Sequence, residues 1–212
     1  MRTLAVLPVK AFGHAKQRLV PSLPPEQRRE LALAMVADVL AALRRVEALD
    51  VAVVTAEPLA REGALEVGAA VIEDTLEEGQ SAAALIGVEH ALAAGYERVL
   101  LVPGDTPLLD AGELGALLGS AAAVTIVPDR HGTGTNALVL APPDAIEPSF
   151  GPGSFERHRR AAGEKARVER PPTLTLDVDT GDDLGELVEA LAARPGAAPA
   201  TRAALASSRV TA

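Results

Sequence analysis

Residues 3–13 of the chain read Thr-Leu-Ala-Val-Leu-Pro-Val-Lys-Ala-Phe-Gly, and the fold class follows from this beginning. The first seven of these residues form an apolar run that is too short for a typical helix, and a loop with a lysine and a glycine ends it. A short apolar run with such a boundary is typical of a buried strand. The sequence therefore predicts that the chain opens with a strand.

Helices and strands alternate outward from this strand. Pro24 and Pro25 introduce a stretch with apolar residues at three- and four-residue spacings, which predicts a helix with a proline start. The elements predicted next are a strand near 50–55, a helix near 59–67, a strand near 69–73, a helix near 81–94 and a strand near 98–102. This alternation indicates an α/β fold with a mostly parallel, doubly wound sheet.

The second half of the chain follows a looser pattern. Its predicted elements are a helix near 110–118, strands near 122–127 and 136–140, a helix from Ser154, a strand near 174–178 and a helix near 182–193, with Thr180 or Asp182 as the cap of the last helix. We expect residues 1–193 to form a single domain. Residues 194–212 are rich in alanine, proline and small polar residues, so we expect a mobile tail there.

Composition and charge exclude several classes of protein. The chain has 212 residues, of which 48% are hydrophobic and 2% aromatic, and this favours one domain with a core of Ala, Val and Leu. Cysteine is absent, which excludes disulfides, thiolate zinc sites and thiol catalysis. A net charge of −9 disfavours general binding to nucleic acids or anionic membranes. No apolar run is long enough to span a membrane, and we expect a cytoplasmic location.

Basic residues occupy the loop after the first strand. Lys10, Lys16 and Arg18 lie where a dinucleotide-binding fold would have several glycines. Ammonium and guanidinium groups suit the phosphates of a nucleoside triphosphate, although a solvated basic loop is the simpler alternative. The position favours a ligand, because ligands of open α/β sheets bind outside the carboxyl ends of the strands.

Carboxylates follow two other predicted strands. Asp105 comes after the strand near 98–102, and Asp177 and Asp179 lie at the end of the strand near 174–178. Carboxylates from separate strand ends are typical ligands of a Mg²⁺ ion that also binds substrate phosphates. Each aspartate alone has an alternative role in a turn or a helix cap, but the three together favour a metal.

Two glycine-containing segments predict an anion site. Residues 127–138 read Val-Pro-Asp-Arg-His-Gly-Thr-Gly-Thr-Asn-Ala-Leu, in which backbone amides next to glycine can approach a ligand and Thr133, Thr135 and Asn136 add side-chain donors. Residues 150–155 read Phe-Gly-Pro-Gly-Ser-Phe and place Ser154 at a helix start, as a cap or as part of an anion site. No histidine has metal-ligand spacing, and we assign none as a ligand.

In four motifs the chain resembles the guanylyltransferases of coenzyme F-420 biosynthesis, which act on phosphoenolpyruvate or 2-phospho-L-lactate. The motifs are Pro-Val-Lys-x-Phe-Gly-x-Ala-Lys-x-Arg-Leu at 8–19, Pro-Gly-Asp-x-Pro-Leu at 103–108, Pro-Asp-Arg-x-Gly-x-Gly-Thr-Asn-Ala-Leu at 128–138, and Phe-Gly-x-Gly-Ser-Phe-x-x-His at 150–158. The resemblance extends from residue 8 to residue 180. It implies a nucleotide-diphospho-sugar-transferase-like fold, which is a Rossmann-like three-layer α/β domain.

The resemblance also implies a role for each candidate site residue. Lys10, Lys16 and Arg18 are expected near the phosphates of GTP, and Asp105, Asp177 and Asp179 are expected to bind Mg²⁺. Lys16 and Asp105 are the candidate catalytic residues. The candidate ligands of the three-carbon phospho-acid are Thr135, Asn136, Gly151 and Ser154. Guanine recognition is assigned to residues 78–81, with Gln80 and Ser81 as nucleotide-binding residues near the end of the third strand.

The expected reaction transfers GMP from GTP to phosphoenolpyruvate and gives enolpyruvoyl-diphospho-guanosine and pyrophosphate. Bacterial members that use phosphoenolpyruvate often have threonine where this chain has Asn136, so 2-phospho-L-lactate stays an alternative acceptor. A nucleotidyltransferase for a sugar phosphate or molybdopterin, and a non-catalytic nucleotide-binding regulator, are further alternatives. A downstream enzyme of F-420 biosynthesis and a second copy of the chain are partners that the sequence leaves open.

Overall fold

The computed structural model describes residues 1–14, 16, 19, 23–120 and 122–207, in which seven strands and seven α-helices are built around one sheet. The strands are β1 (Thr3–Pro8), β2 (Leu49–Thr55), β3 (Ala70–Glu73), β4 (Arg98–Leu101), β5 (Val124–Pro128), β6 (Thr135–Leu140) and β7 (Ala166–Val168). The helices are α1 (Pro25–Leu43), α2 (Pro58–Glu66), α3 (Gln80–Ala93), α4 (Ala111–Leu118), α5 (Ser154–Ala162), α6 (Gly181–Ala193) and α7 (Pro199–Ser207).

The sheet has the strand order β3-β2-β1-β4-β6-β5-β7. β1 pairs in parallel with β2 on one side and with β4 on the other, so the order of connection reverses at β1. β6 runs antiparallel to its neighbours β4 and β5 because only residues 129–134 separate it from β5, too few for a crossover. The prediction of a mostly parallel sheet is confirmed, and a ligand site is expected where the order reverses.

Helices cover both faces of the sheet. Ala5 and Leu7 of β1 pack in the same cluster as residues of α1, α2 and α4, whereas Leu4 and Val6 pack with residues of α3 and α5. Alternate residues of a strand point to opposite faces, and this separates the two clusters. Gly87 lets α3 lie close to the sheet, since a Cβ there would be 2.3 Å from Val6 Cγ1. The three-layer architecture predicted from the sequence is confirmed.

Two segments differ from the sequence-based expectations. The strand predicted near 174–178 is wrong: the segment runs beside the turn after β4, where Val178 N donates to the Asp105 carbonyl at 3.1 Å, and it joins no ladder. Its apolar residues are nevertheless fully buried, Leu174 in a cluster of sheet and helix residues and Val178 in a cluster with α1 and α6. The edge strand β7 was not predicted because its residues are partly or largely exposed.

The expected mobile tail from residue 194 also differs from the structure. Residues 199–207 form α7, which packs on α1. The buried carboxylate of Asp38 accepts the backbone N–H groups of Ala200 and Thr201 at 3.1 and 2.8 Å. These bonds satisfy two of the free amides at the helix start. Composition alone did not predict this helix. None of the helices in the described residues is long and apolar enough to cross a membrane.

Candidate active site

The candidate site lies at the edge of the sheet where β1 and β4 end. Lys10 follows β1, Gln80 begins α3 after β3, and Asp105 follows β4. Thr135 is the first residue of β6, and because β6 is antiparallel, its start lies at this same edge. The topology thus brings together residues that are far apart in the sequence.

Lys16 joins two of the predicted metal ligands. Its Nζ donates to Asp105 Oδ2 at 2.5 Å and to Asp179 Oδ1 at 2.9 Å, and only 9% of its side chain is exposed. Burial alone would lower the pKa of Lys16, but the charges of Asp105 and Asp179 outweigh this and raise it. The ammonium therefore stays charged and forms an ion pair with each of the two carboxylates, although its single charge balances only one of them.

Asp177 completes the group of three aspartates. Its Oδ1 accepts Asn136 Nδ2 at 3.1 Å, and the same amide group donates to the Leu174 carbonyl at 2.9 Å. Burial, with the nearby charge of Asp105, raises the pKa of Asp177 to about 6. The hydrogen bond from Asn136 lowers the pKa of Asp177 but does not offset the effect of burial.

A first cleft of about 390 Å³ opens beside the loop after β1. Its lining includes Lys10, Phe12 and Lys16 from this loop, apolar residues of α1, and Gln80. Glu57 fixes the loop, since its buried carboxylate accepts the N–H of Phe12 at 2.8 Å. The cleft therefore combines an apolar wall with two ammonium groups, and its volume suits a small ligand.

A second cleft of about 370 Å³ lies on the other side of Asp105. The four residues Gln80, Pro103, Asp105 and Asp179 line both clefts. The rest of its lining is Asp129, Thr133, Gly134, Thr135, Asn136, Gly151, Pro152, Ser154 and Asp177. Four aspartates and no lysine or arginine line this cleft within the described part of the chain. The described lining of this cleft is therefore acidic.

The glycine loop does not offer the free backbone amides that the sequence predicted. Asp129 Oδ1 accepts Thr133 N at 2.9 Å, and Asp129 Oδ2 accepts Gly134 N at 2.7 Å. Burial opposes ionisation of Asp129, but these bonds and others from the loop lower its pKa. The loop thus uses its amides to bind its own carboxylate, and this fixes one wall of the second cleft.

The start of α5 also differs from the expected anion site. Ser154 N donates to the Gly151 carbonyl at 3.0 Å, and Phe155 N donates to the Thr133 carbonyl at 3.3 Å, so these two amides are occupied. Gly151 and Gly153 have positive φ values of 100° and 74°, which the tight approach to the helix requires. The Ser154 hydroxyl, in contrast, is buried and has no hydrogen-bond partner among the described residues.

The predicted site residues separate into three groups. Lys10, Lys16 and Gln80 line the first cleft, while Thr135, Asn136, Gly151 and Ser154 line the second. Ser81 lines neither cleft, because its Oγ accepts Phe150 N at 2.8 Å and holds the loop before α5. Arg18 lies outside the described residues.

The predicted Mg²⁺ ligands do not form a metal site on their own. In the residues that the structure describes, no set of three His, Asp or Glu side chains has an arrangement that could hold a metal ion. Lys16 accounts for this, since its ammonium lies between Asp105 and Asp179. Asp105 Oδ1 nevertheless is buried without a hydrogen-bond partner and is available to a cation.

His158 had no predicted role, but it contacts Thr135, which lines the second cleft. The ring is fully buried and touches both the start of β6 and the loop before α5. Burial, with a smaller effect of Arg157, lowers its pKa to about 4, so the ring is neutral at pH 7. Its spacing from Ser154, four residues along one helix, was the signal that could have identified it.

The chain matches known proteins over nearly its whole length. A family model described as "Guanylyl transferase CofC like" matches residues 3–191. The chain belongs to this family. A phosphoenolpyruvate guanylyltransferase of Conexibacter woesei is 47% identical over 97% of this chain and 96% of the relative. A 2-phospho-L-lactate guanylyltransferase of Methanothermobacter thermautotrophicus is 35% identical over 89% of this chain and 85% of the relative.

Membership in the guanylyl transferase CofC-like family identifies the protein as a nucleotidyltransferase, and the alternative of a non-catalytic regulator is excluded. The fold agrees with this. A solved structure from Desulfovibrio desulfuricans, described as a nucleotide-diphospho-sugar transferase, superposes with a TM-score of 0.77 over 97% of this chain and 94% of that one, at 18% identity. At this identity the likeness concerns the fold alone.

Proposed function

We propose that the protein transfers GMP from GTP to phosphoenolpyruvate in coenzyme F-420 biosynthesis, forming enolpyruvoyl-diphospho-guanosine and pyrophosphate. The observation that carries this proposal is the meeting of the two clefts at Asp105 and Asp179. GTP occupies the first cleft, whose lysines suit its phosphates, and the phospho-acid occupies the second. The α-phosphorus of GTP and the phosphate of the acceptor then meet beside the aspartates.

We propose that Asp105, Asp177 and Asp179 hold Mg²⁺ when the substrates are bound. The donor set fits such an ion, because it consists of carboxylates, one of which has a buried oxygen without a partner. The second cleft has no basic side chain in its described lining, so a polyanionic acceptor needs a cation there. Mg²⁺ supplies neutralisation of the charge that develops as two anions meet. Lys16 then exchanges its carboxylate partners for phosphates of GTP.

The proposed chemistry needs no general base. The second pKa of a phosphate monoester is roughly 6, so the acceptor is largely dianionic at neutral pH. One of its oxygens attacks the α-phosphorus of GTP, and the bond from that phosphorus to the bridging oxygen breaks with its electron pair leaving on pyrophosphate. What the chain's residues supply is alignment of the two anions and neutralisation of their charge.

The identity of the acceptor is proposed from the relatives and from Asn136. The relative at 47% identity is named for phosphoenolpyruvate, and the relative at 35% identity is named for 2-phospho-L-lactate. Asn136 differs from the threonine expected of phosphoenolpyruvate-using members, but its amide group is bonded to Leu174 and Asp177. Asn136 therefore holds Asp177 in place and does not offer this group to the acid, so the difference does not argue against phosphoenolpyruvate.

The test is a substrate matrix with pyrophosphate release as its readout. Each of GTP, ATP, CTP and UTP is combined with phosphoenolpyruvate, 2-phospho-L-lactate or glucose 1-phosphate in the presence of Mg²⁺, and the product is identified by mass spectrometry. We expect the highest kcat/KM for GTP with phosphoenolpyruvate. A preference for 2-phospho-L-lactate, for a sugar phosphate or for another nucleotide would overturn the assignment.

Asp105→Asn is the matched inactive variant in this assay, with Asp144→Asn at an exposed position as its control. We expect Asp105→Asn to fold and to lose turnover by orders of magnitude, because an amide is a poorer ligand for Mg²⁺ than a carboxylate. The cytoplasmic location and any partner protein stay predictions.

A further inference from the structure

His158 connects Thr135, which lines the second cleft, to the loop before α5. Its Nε2 accepts the backbone N–H of Ser149 at 2.8 Å, and its Nδ1 lies 2.9 Å from Thr135 Oγ1. The ring also makes an edge-on contact with Phe150, with 5.3 Å between ring centroids. The imidazole therefore ties the start of β6 to the loop that leads into α5.

The hydrogen bond from Ser149 fixes the position of the ring proton. A backbone amide can only donate, so Nε2 must present its lone pair. A neutral imidazole carries one N–H group, which is therefore on Nδ1, and this group donates to Thr135 Oγ1. The low pKa of His158, which results mainly from burial, keeps the ring in this neutral form.

The proton position on His158 sets the role of Thr135. Because Thr135 Oγ1 accepts from His158, the hydroxyl proton of Thr135 must be given to another acceptor. No such acceptor exists among the described residues, although the side chain is buried and lines the second cleft. The hydroxyl of Ser154 is also buried, lines the same cleft and lacks a hydrogen-bond partner among those residues.

We propose that His158 is a positioning residue that makes the Thr135 hydroxyl a donor to the anion of the phospho-acid in the second cleft. Two hydroxyls, from Thr135 and Ser154, then face the acid, and His158 determines the direction of the first. The inference rests on the proposed function for the identity of the acid. The placement of the proton on His158 is independent of it.

His158 also helps to hold the loop before α5, which leads to Gly151 in the second cleft. Phe150 N donates to Ser81 Oγ, and Arg157 donates to the carbonyls of Ser149 and Phe150 at 2.8 and 3.1 Å. The hydrogen bond from the backbone N–H of Ser149 to His158 also stabilises this loop. Gly151, which follows directly and lines the cleft, is thereby held in position.

The test separates the two hydrogen bonds of His158 by substitution. His158→Gln places an amide near the Nε2 position and retains an acceptor for Ser149, but it removes the donor to Thr135. His158→Asn places an amide near the Nδ1 position and restores that donor. Thr135→Val removes the hydroxyl at similar volume, Thr135→Ser retains it, and His90→Gln replaces an exposed histidine of α3 as the control.

With GTP saturating, we expect His158→Gln and Thr135→Val each to raise the KM for phosphoenolpyruvate by roughly 10- to 100-fold, the value of one hydrogen bond to a charged group. The KM for GTP should stay within about twofold. His158→Asn and Thr135→Ser should recover most of the loss. The double variant His158→Gln/Thr135→Val should be no worse than either single variant, because both remove the same interaction.

Several results would overturn the inference. An unchanged KM for phosphoenolpyruvate in His158→Gln, equal losses for both substrates, or additive losses in the double variant would each do so. The ring proton itself is measured in wild-type protein by imidazole ¹H–¹⁵N correlation, and a proton on Nε2 would also refute the assignment. If His158→Gln fails to fold, Thr135→Val, Thr135→Ser and this spectrum still decide.

Failure of the proposed function is a distinct outcome. In that case wild-type protein releases no pyrophosphate with GTP and phosphoenolpyruvate. The inference about His158 is then tested by the increase in Tm that inorganic phosphate with Mg²⁺ produces in wild-type protein. We expect Thr135→Val and His158→Gln to lose this increase and Thr135→Ser to keep it, and an increase retained in all three would refute the donor role of Thr135.

Discussion

Asp177 shows how a single residue of the site opposes stability. Its ordinary pKa of 3.8 is raised to about 6, mainly by burial and then by the charge of Asp105. Between these two values the folded protein binds a proton more readily than the unfolded chain does. Stability from this group is therefore present at low pH and is lost as the pH rises through 6.

We predict that Asp177→Asn stabilises the metal-free protein at pH 8. The amide removes a carboxylate that the fold holds at a cost, and a gain of about 1–3 kcal/mol in the free energy of unfolding is expected for this partly exposed group. The gain should shrink toward pH 4. Urea unfolding in EDTA measures it, and the same variant should lose guanylyl transfer with Mg²⁺ by orders of magnitude. A lower stability at pH 8 would mean that the carboxylate is structural.

Ser154 offers a second test at the scale of one residue. Its hydroxyl makes no cap hydrogen bond to α5 and has no partner in the described part of the chain. We predict that Ser154→Ala leaves the Tm unchanged or higher, because no protein hydrogen bond is lost. The KM for phosphoenolpyruvate should rise by roughly 10- to 100-fold while that for GTP stays constant.

The control for Ser154→Ala is Ser207→Ala, at the exposed end of α7. It should change neither Michaelis constant. A fall in Tm of Ser154→Ala without a change in KM would assign the hydroxyl to the helix start alone.

At the scale of elements, α7 is held by Asp38 of α1. The buried carboxylate accepts two amides at the start of α7, and Ala198 and Leu205 pack in the cluster that contains Leu31 and Met35. We predict that Asp38→Ala lowers the Tm by about 2–4 °C, since losing such a cap costs about 1 kcal/mol in a protein of this size. Differential scanning calorimetry measures this shift.

Truncation after residue 194 extends the same test. It should lower the Tm by more than Asp38→Ala, because it also exposes the apolar side of α1. Asp144→Ala, which changes an exposed aspartate, provides the control. Equal Tm values for the full and truncated chains would show that residues 195–212 contribute nothing to stability.

Most elements were predictable because their apolar residues follow the period of a helix or a strand. The capping box of Thr180 and Asp183 confirms one predicted helix start. The apolar period gave wrong predictions where a buried segment is not part of a helix or strand, or where a helix or strand is largely exposed. Leu174 and Val178 are buried without a strand, β7 is a strand without burial, and α7 is a helix whose composition is that of a tail.

The candidate site was predictable in position but not in its hydrogen bonds. Lys16, Asp105 and Asp179 lie together as expected, but of these only Asp105 directly follows a strand, since residues 174–178 join no strand of the sheet. The sequence did not show that Asp129 occupies the amides of the glycine loop, nor that the amide of Asn136 is bonded to Asp177. Such pairings depend on distances between elements, which no local pattern contains.

At the scale of the whole molecule, the site consists of two clefts that lie on either side of Asp105, near the ends of β1 and β4. Lysines line the first cleft and carboxylates line the second, and the net charge of the chain is −9. A net charge of this sign gives no general attraction for anionic substrates. We therefore expect substrate binding to depend on local cations such as Lys10, Lys16 and the proposed Mg²⁺.

His158 and Asp177 have opposite effects on how the stability of the whole protein depends on pH. Burial lowers the pKa of His158 from 6.5 to about 4, so the unfolded chain binds a proton more readily in this range and stability falls as the pH drops from 6.5 to 4. The raised pKa of Asp177 acts in the opposite direction over nearly the same range. Each group contributes at most about 3 kcal/mol, so the two effects largely cancel in the wild-type protein.

We therefore predict that substitution of either His158 or Asp177 makes the effect of the other on the pH dependence of stability measurable. In metal-free protein, Asp177→Asn should lose stability relative to wild type as the pH falls from 6.5 to 4.5, because the variant lacks the proton uptake at Asp177 that stabilises the wild type in this range. His158→Gln should gain stability relative to wild type over the same range, and His90→Gln should follow the wild type. Urea unfolding at half-unit pH intervals measures these differences. Parallel curves for the wild type and both variants would show that neither group has a shifted pKa, since a shifted group must change the slope with pH.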